Sequence, residues 1–227
     1  MKKNFKIFFC AFAVLVMLPV VSHAQNVKQF EVYGGYSMPH ISWPEDNYTW
    51  QLKGNSKSVS SFHVGVRYIQ PINKRYFDNF AYISFGFAVS GKGYNIDKPF
   101  LSHWTGYEYS LKGHGFGVEV PVHFGGKFKL SEDLSLFAEA GFTGALGLFG
   151  KWKEKFKGEE RFNGDYYKES ERAGFKRLNG SLGGRIGVEI MKTFTFSAGY
   201  DHGITKLGDY PYNCKDRVLM LSFGYMF

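Results

Sequence analysis

Apolar and polar residues alternate with a period of two along most of this chain. The clearest case is the segment Phe80–Ser90, whose apolar row is Ala81, Ile83, Phe85, Phe87 and Val89. Successive side chains of a β-strand point to opposite faces of a sheet, whereas the apolar residues of an amphipathic helix recur every three or four positions. The alternation therefore predicts strands that meet an apolar medium on one face only.

Eight segments carry this alternation, and the connectors between them differ in length. The segments are Phe30–Ser37, Ser61–Gln70, Phe80–Ser90, His114–Lys129, Leu134–Leu148, Leu178–Ile190, Phe194–His202 and Leu219–Phe227. The long, polar connectors are Met38–Ser60, Gly91–Gly113, Phe149–Arg177 and Gly203–Asp216, and the short ones are Pro71–Asn79, Leu130–Asp133 and Met191–Thr193. Long extracellular loops that alternate with short periplasmic turns are typical of outer-membrane barrels. We therefore expect an all-β fold, a closed antiparallel transmembrane β-barrel of about eight strands in an up-and-down meander, because closure satisfies every backbone group in lipid.

The first 24 residues have the pattern of a secretory signal peptide. Three lysines precede an apolar run over Ile7–Val21, and a small-x-small cleavage pattern ends at Ala24. The run is shorter than the roughly 20 residues that a membrane-spanning helix needs. We expect a signal peptide over residues 1–24 and one barrel domain over residues 25–227, integrated in the outer membrane with both termini in the periplasm.

The last segment ends on an aromatic residue of its apolar row. That row is Leu219, Leu221, Phe223, Tyr225 and Phe227. An aromatic residue at the end of such a row is expected at the membrane interface. The row also resembles the β-signal that is read by the barrel assembly machinery, which implies an assembly signal in these five residues and that machinery as a partner.

Charged residues recur on the opposite, inward faces of the strands. They are Glu31, Arg67, Glu119, Lys127, Glu139, Arg185 and Glu189. A charge in a narrow lumen is costly to bury unless it is paired, so we predict an ion-pair network in the periplasmic half of the barrel. Because side chains fill the interior of an eight-stranded barrel, the network indicates a structural plug. The alternative is a gated path for a small solute or for protons.

Proline and glycine mark irregular places in the strands. Pro121 stands at the centre of the fourth segment, where it cannot donate a ladder hydrogen bond, and it predicts a β-bulge there. Gly183 and Gly184 stand within a strand and lack the spacing of a phosphate-binding loop. Such glycines are expected to relieve curvature and crowding inside a small barrel.

The connector between Lys151 and Arg177 is the most charged surface feature. It holds nine Lys or Arg and six Asp or Glu, interleaved with five aromatic residues ahead of Phe175. The mixed signs argue against nucleic-acid binding, which uses a basic groove with aromatic platforms. A solvated loop is the simplest interpretation. The functional alternative is contact with lipopolysaccharide phosphates or with an extracellular ligand or partner.

No residue pattern predicts catalysis, a metal site or a cofactor. A hydrolase of this architecture needs a nucleophile, a base and an orienting acid in one place. The His-x-Ser pattern of His40 and Ser42 falls instead in a predicted loop. His63 and His123 are at inward positions without the clustering of metal ligands. We expect a protein that is not an enzyme.

The fourth and fifth segments resemble a known family. Within Phe116–Leu130, the run Val118–Val122, followed by Lys127 and Phe128, resembles the apolar-Glu-apolar-Pro-apolar strand of the PorT-like outer-membrane β-barrel family, which is similar to small barrels of the OmpX and OmpA type. The stretch Leu130–Gly141 is similar to that family's turn into a Phe-Ala-Glu-Ala-Gly strand. The resemblance implies an outer-membrane barrel, but a fold alone does not define an activity.

The sequence therefore predicts an integral outer-membrane barrel with a structural or surface-interaction role. The expected partners are outer-membrane lipid and lipopolysaccharide, the assembly machinery, and an extracellular ligand or a secretion partner. The alternative is a transport or protein-secretion component, either a porin-like small-solute pore or a PorT-like secretion accessory.

Overall fold

A computed structural model describes residues 30–43, 56–72, 79–97, 109–168, 175–208 and 214–227. The strands are β1 (Phe30–Ser42), β2 (Ser56–Lys57), β3 (Ser61–Pro71), β4 (Asn79–Asp97), β5 (Tyr109–Lys129), β6 (Leu134–Phe156), β7 (Glu159–Asp165), β8 (Leu178–Ile190), β9 (Phe194–Gly203) and β10 (Lys215–Met226). None of the described residues forms a helix that is long and apolar enough to span a membrane. The predicted signal peptide, residues 1–24, lies outside the described residues and stays a prediction.

Eight of these strands form a closed antiparallel ring. The order around the ring is β1, β3, β4, β5, β6, β8, β9, β10 and back to β1. Each ring strand therefore pairs with the ring strands before and after it in the chain. β2 pairs with one end of β4, and β7 pairs with the same end of β6. The predicted all-β, eight-stranded up-and-down barrel is confirmed.

The ring closes between its first and last strands. The ladder of β1 and β10 runs from Glu31 opposite Met226 to Ser42 opposite Lys215. Beyond it, the N–H of Phe227 donates to the carbonyl of Phe30 at 2.9 Å, and the N–H of Phe30 donates back at 3.3 Å. Backbone groups in a bilayer core have no water to bind. Closure therefore removes the unpaired edges that an open sheet would expose to lipid.

The outward rows of the ring strands are apolar and exposed, as the alternation predicts. One example from each of the eight ring strands is Val32, Val64, Ile83, Val122, Leu136, Ile186, Phe196 and Leu221. A continuous apolar band of this kind is what a barrel presents to lipid. The inward positions instead hold charged residues, hydroxyl groups and glycines.

The two rims of the barrel differ. One rim, here called the turn rim, carries the turns of residues 130–133 and 191–193 together with Phe30 and Phe227. At the other rim, here called the hairpin rim, several strands run further than the sequence predicts. β1 continues to Ser42, β4 continues to Asp97, and β5 already begins at Tyr109. The predicted long connectors are therefore partly sheet, and the expectation of loops at these residues was wrong.

A β-bulge in β6 explains why the fifth segment ends at Leu148 in the sequence pattern. The register between β5 and β6 shifts at Phe116 and Gly117, which leaves Leu148 as an extra residue of β6. An extra residue reverses which positions point outward. Leu148 and Phe149 are both exposed, and beyond them Trp152 is buried inward. The alternation therefore continues past Leu148 with its phase reversed.

The predicted bulge at Pro121 was wrong. Pro121 pairs with Thr143 of β6 in an unbroken register. On its other side, the pairing with β4 is interrupted for the two residues between Phe85 and Ala88 and then resumes in the same register. The missing proline N–H thus removes pairing locally without inserting a residue.

β6 and β7 form a hairpin at the hairpin rim. Phe156 lies opposite Glu159, and the intervening residues Lys157 and Gly158 have φ angles of 55° and 83°. Two positive φ values define a type I′ turn, whose twist matches that of the flanking strands. Much of the predicted loop Phe149–Arg177 is therefore an ordered β-hairpin.

Candidate functional site

Glu139 is the centre of a cluster of polar side chains inside the barrel. Its carboxylate is fully buried and contacts Arg67 Nη1 at 2.7 Å, Arg185 Nη2 at 2.7 Å, Tyr82 OH at 3.0 Å, His123 Nδ1 at 3.2 Å and Ser84 Oγ at 3.3 Å. These partners come from β3, β4, β5 and β8. A buried carboxylate is stable only when its oxygens are paired in this way. Glu139 thereby ties five strands together.

Arg67 links Glu139 to the strand that closes the ring. Its Nε donates to Glu31 of β1, while its Nη1 donates to Glu139 of β6. Thr195 donates its hydroxyl to the second oxygen of Glu31. β1 and β6 stand four strands apart in the ring of eight, so Arg67 connects opposite walls of the lumen. Since Arg67 is 4% exposed and Glu31 2% exposed, this connection is shielded from water.

Aromatic rings enclose the two arginines. The guanidinium carbon of Arg185 lies 5.3 Å from the ring centroid of Tyr33 and 5.9 Å from that of Phe137. The guanidinium of Arg67 lies 5.6 Å from the same Phe137 ring. Cations over aromatic faces are stabilised by the ring quadrupole, and more so when desolvated. Charge pairs and rings together fill this level of the lumen.

Lys127 and Glu189 form an ion pair closer to the turn rim. The Lys127 ammonium donates to Glu189 and lies 5.5 Å from the ring centroid of Phe80. Glu189 is almost fully buried. This pair and the Glu139 cluster account for six of the seven inward charges that the sequence singles out.

Glu119 belongs to a separate cluster on the hairpin side of Glu139. Its carboxylate lies 2.7 Å from the ammonium of Lys92, which also lies 2.9 Å from Asp216. The structure thus pairs Glu119 with a lysine that is not among the seven charges of the predicted network. Lys92 and Asp216 were missed because both fall in predicted connectors. Lys92 nevertheless continues the inward row of β4 after Ser90, and this signal is visible in the sequence.

A buried cluster rich in aromatic residues closes the lumen at the hairpin rim. This aromatic cap consists of Ile41, Trp43, Tyr94, Ile96, Tyr166, Tyr167, Phe175, Leu207 and Cys214. The ring of Tyr94 lies 5.8 Å from that of Tyr166 and 5.4 Å from that of Phe175. The backbone of Gly113 lies so close to the Tyr94 ring that any larger residue there would collide with it. The cap was not predicted, because its residues lie where the alternation was thought to have ended.

A small cavity lies between the Glu139 cluster and the Glu119 cluster. Its volume is about 50 Å³, and its walls include His63, Glu119, His123 and Asp201. Such a volume holds a few water molecules at most. His63 Nε2 lies 2.8 Å from Ser222 Oγ, which fixes this histidine against the wall. The cavity is therefore too small for a solute much larger than water.

The histidines considered above, His40, His63 and His123, all lie in strands. His40 and Ser42 lie in β1 and not in a loop as predicted. Within the described part of the chain, no three His, Cys, Asp or Glu residues are placed to hold a metal ion. The expected absence of catalysis, of a metal and of a cofactor stays a prediction.

The predicted assembly row lies on the lipid-facing side of the last strand. Leu219, Leu221, Phe223, Tyr225 and Phe227 are each between 43% and 57% exposed. The Tyr225 ring centroid lies 5.7 Å from that of Phe194 in β9 and 6.0 Å from that of Phe227. These contacts place aromatic rings together at the turn rim, and the assembly role stays a prediction.

An apolar outer band around a lumen filled by paired charges defines a small transmembrane β-barrel. The family model of the outer membrane protein beta-barrel domain matches residues 23–209 of this chain. The chain belongs to this family and is an integral outer-membrane barrel. None of the curated proteins matches it.

Solved outer-membrane barrels resemble the chain only distantly. Ail of Yersinia pestis is 20% identical with a TM-score of 0.39, over 89% of this chain and 100% of that one. OprG of Pseudomonas aeruginosa is 13% identical with a TM-score of 0.38, over 90% of this chain and 98% of that one. The outer membrane enzyme PagL is 11% identical with a TM-score of 0.34, over 87% of this chain and 98% of that one. At these values the likenesses carry no argument about activity.

We predict that Arg67→Met destabilises the barrel much more than a lipid-facing change on the same strand. Losing one partner of a buried ion pair typically costs about 3–5 kcal/mol, because the remaining charge is left buried and unpaired. Arg67→Met leaves Glu31 without its arginine partner and removes one hydrogen-bond donor from Glu139. The control is Val66→Ala on the exposed face of β3. The free energy of unfolding in urea is measured for both variants in the same lipid vesicles, and equal losses would contradict a dry, paired lumen.

Proposed function

We propose that this protein is a non-enzymatic, non-conducting outer-membrane barrel that presents the β6–β7 hairpin at the cell surface as an interaction element. The filled lumen is the observation that carries the proposal. Two layers of buried ion pairs, around Glu139 and around Lys92, lie beneath the aromatic cap. An ion that crossed these layers would have to separate charges that attract each other strongly in a medium of low dielectric constant.

The β6–β7 hairpin is an ordered element with exposed charged residues. Lys151, Lys153 and Lys155 are exposed along one face of it, whereas Trp152 on the other face is buried. Cross-strand contacts hold the hairpin: Lys153 Nζ lies 2.8 Å from Glu160. An ordered, charged hairpin supports contact with anionic groups such as lipopolysaccharide or with an extracellular partner. Because the hairpin carries both positive and negative charges, nucleic acid is a poor candidate for its ligand.

The proposed orientation puts the hairpin rim outside the cell and the turn rim in the periplasm. It is supported by the short connectors at the turn rim and by the export signal that the sequence predicts in residues 1–24. In this orientation the chain enters and leaves the barrel on the periplasmic side. The aromatic row that ends at Phe227 then lies where the barrel assembly machinery would recognise it.

The second function that the sequence leaves open is transport or protein secretion. It is supported by the resemblance of Val118–Gly141 to the PorT-like family. A pore would require the Lys92 and Glu139 clusters to open, and a secretion accessory would require a partner that stays bound after gentle extraction. Conductance in planar bilayers separates a pore from a closed barrel.

We predict that a cysteine at the hairpin tip is labelled from outside the cell. A polymer-linked maleimide too large to cross the outer membrane should modify Lys157→Cys on intact cells. It should modify the control Met191→Cys, exposed at the turn rim, only after permeabilisation. Burial raises the pKa of the Cys214 thiol to about 12, so this native cysteine stays protonated and unreactive. The reverse labelling pattern would overturn the proposed orientation.

We predict that the folded protein gives no discrete current steps in planar bilayers. A general porin serves as the positive control and should give such steps under the same conditions. Insertion is verified by the compact gel mobility of the unboiled sample, which a closed transmembrane sheet retains. The lumen variant Lys92→Met and the lipid-face variant Val64→Ala serve as a matched pair. The proposal would be overturned if the unmodified protein gave stable current steps and if Lys92→Met, but not Val64→Ala, altered them. That result would show that the lumen conducts.

We predict that Phe227→Asp lowers the amount of membrane-integrated protein several-fold while export continues. A carboxylate at the end of the outward row disrupts the pattern proposed for recognition by the assembly machinery. Phe128→Asp is the control, because Phe128 is an equally exposed aromatic residue of β5 near the same rim. Integrated protein is quantified in outer-membrane fractions. Equal losses in both variants would mean that lipid-face polarity, and not an assembly signal, explains the effect.

A further inference from the structure

The outward face of the sheet changes from apolar to basic at the hairpin rim. Six exposed basic residues form what we call the cationic face, namely Lys57, Lys112, His114, Lys151, Lys153 and Lys155. They come from β2, β5 and β6. In β5 and β6 they continue the same outward rows whose apolar members form the lipid-facing band. The cationic face is therefore directed sideways, along the membrane, and not only toward the extracellular medium.

The strand register brings the basic residues of the cationic face directly together. Lys112 of β5 lies opposite Lys153 of β6, and His114 lies opposite Lys151. Directly opposed side chains have Cβ atoms about 4.5–5.5 Å apart. Lys112 and Lys153 therefore lie side by side across the β5–β6 ladder, within reach of one anionic group.

Acidic residues border the cationic face on its β7 side. Glu160 binds Lys153 at 2.8 Å, and Asp165 lies 3.5 Å from Arg177. Both carboxylates belong to β7, so they are placed at one edge of the cationic face. Lys151 lies opposite Asp165, and Lys155 lies opposite Glu160, so these carboxylates offset part of the charge of β6. The five lysines of the cationic face still outnumber the three acidic residues of β7.

A group of aromatic residues lies between the apolar band and the cationic face. The ring centroid of Phe116 lies 5.5 Å from that of Phe62 and 5.6 Å from that of Phe149. Phe149 is 62% exposed. Aromatic girdles of this kind mark the boundary between hydrocarbon and headgroups in membrane barrels. The cationic face therefore lies at the depth of the lipid headgroups.

We propose that the cationic face binds the phosphate groups of lipopolysaccharide in the outer leaflet. The proposal rests on the proposed orientation, which puts the hairpin rim outside the cell. Lysine ammonium groups on flexible stems pair with phosphates as mobile point charges. A soluble macromolecule would have to displace lipid to reach a surface that faces along the membrane. The phosphorylated lipid itself is already in place there.

The test compares two triple variants with the same change of charge. One is Lys151→Gln, Lys153→Gln and Lys155→Gln within the cationic face, and the control is Lys168→Gln, Lys192→Gln and Lys206→Gln at exposed positions outside the β6–β7 hairpin. Purified lipopolysaccharide, the same material after dephosphorylation, and phosphatidylglycerol serve as probes. Each is titrated into folded protein in one neutral detergent, and binding is followed by native gel shift and by tryptophan fluorescence. Unfolding midpoints in urea confirm that the variants are folded.

A lysine near an anionic lipid surface contributes about fivefold in affinity. We therefore expect the cationic-face variant to bind lipopolysaccharide at least ~10-fold more weakly than the unmodified protein, and the control to stay within about twofold. Dephosphorylation should weaken binding by a similar factor. Equal binding by the two triple variants, or binding that ignores dephosphorylation, would overturn the proposal. Tighter binding of phosphatidylglycerol than of lipopolysaccharide would overturn it as well. The cysteine-labelling experiment tests the orientation separately, so a reversed labelling pattern would refute the orientation and not the lipid binding.

Discussion

Backbone pairing in a medium without water is the constraint on which the rest of this structure depends. The ladder of β1 and β10 and the bonds between Phe30 and Phe227 leave these two strands without free edges. A ring of eight strands closed in this way is narrow, so its interior has room for side chains and little else. A β-carbon at Gly86 would lie 2.9 Å from that of Arg67. Large inward side chains therefore depend on glycines beside them, and closure determines where each kind of residue fits.

The buried charges also specify which face of each strand meets the lipid. A hydrophobic filling of similar volume stabilises a protein core as well as, or better than, buried ion pairs do. In a barrel, however, the outside is already apolar, and an apolar lumen would remove the difference between the two faces. Sliding one strand by a single residue would turn Glu139 or Arg67 toward lipid, because strand side chains alternate. Since Arg67 contacts carboxylates on opposite walls, it fixes the register of several strands at once.

The sequence predicts the parts of this barrel where alternation is uninterrupted. β4 is recognised over Phe80–Ser90 because its outward residues are uniformly apolar, but its continuation through Lys92 and Tyr94 has no apolar outward row and was taken for a loop. β6 was cut at Leu148 because a bulge reverses the phase of the pattern. Lys92, the partner of Glu119, was missed with the extension of β4. Pairing inside the lumen depends on the register of several strands, and one sequence contains no direct record of it.

The bulge at Leu148 connects the interior of the barrel with its surface. Without the bulge, that is, if Leu148 and Phe149 alternated regularly, Lys151, Lys153 and Lys155 would point into the lumen and Trp152 would face outward. With it, the lysines lie on the outside and Trp152 is buried. The bulge thus puts these lysines on the outside and Trp152 inside, above the apolar band. The same short stretch of β6 thereby extends the sheet past the hydrocarbon layer and supplies half of the cationic face.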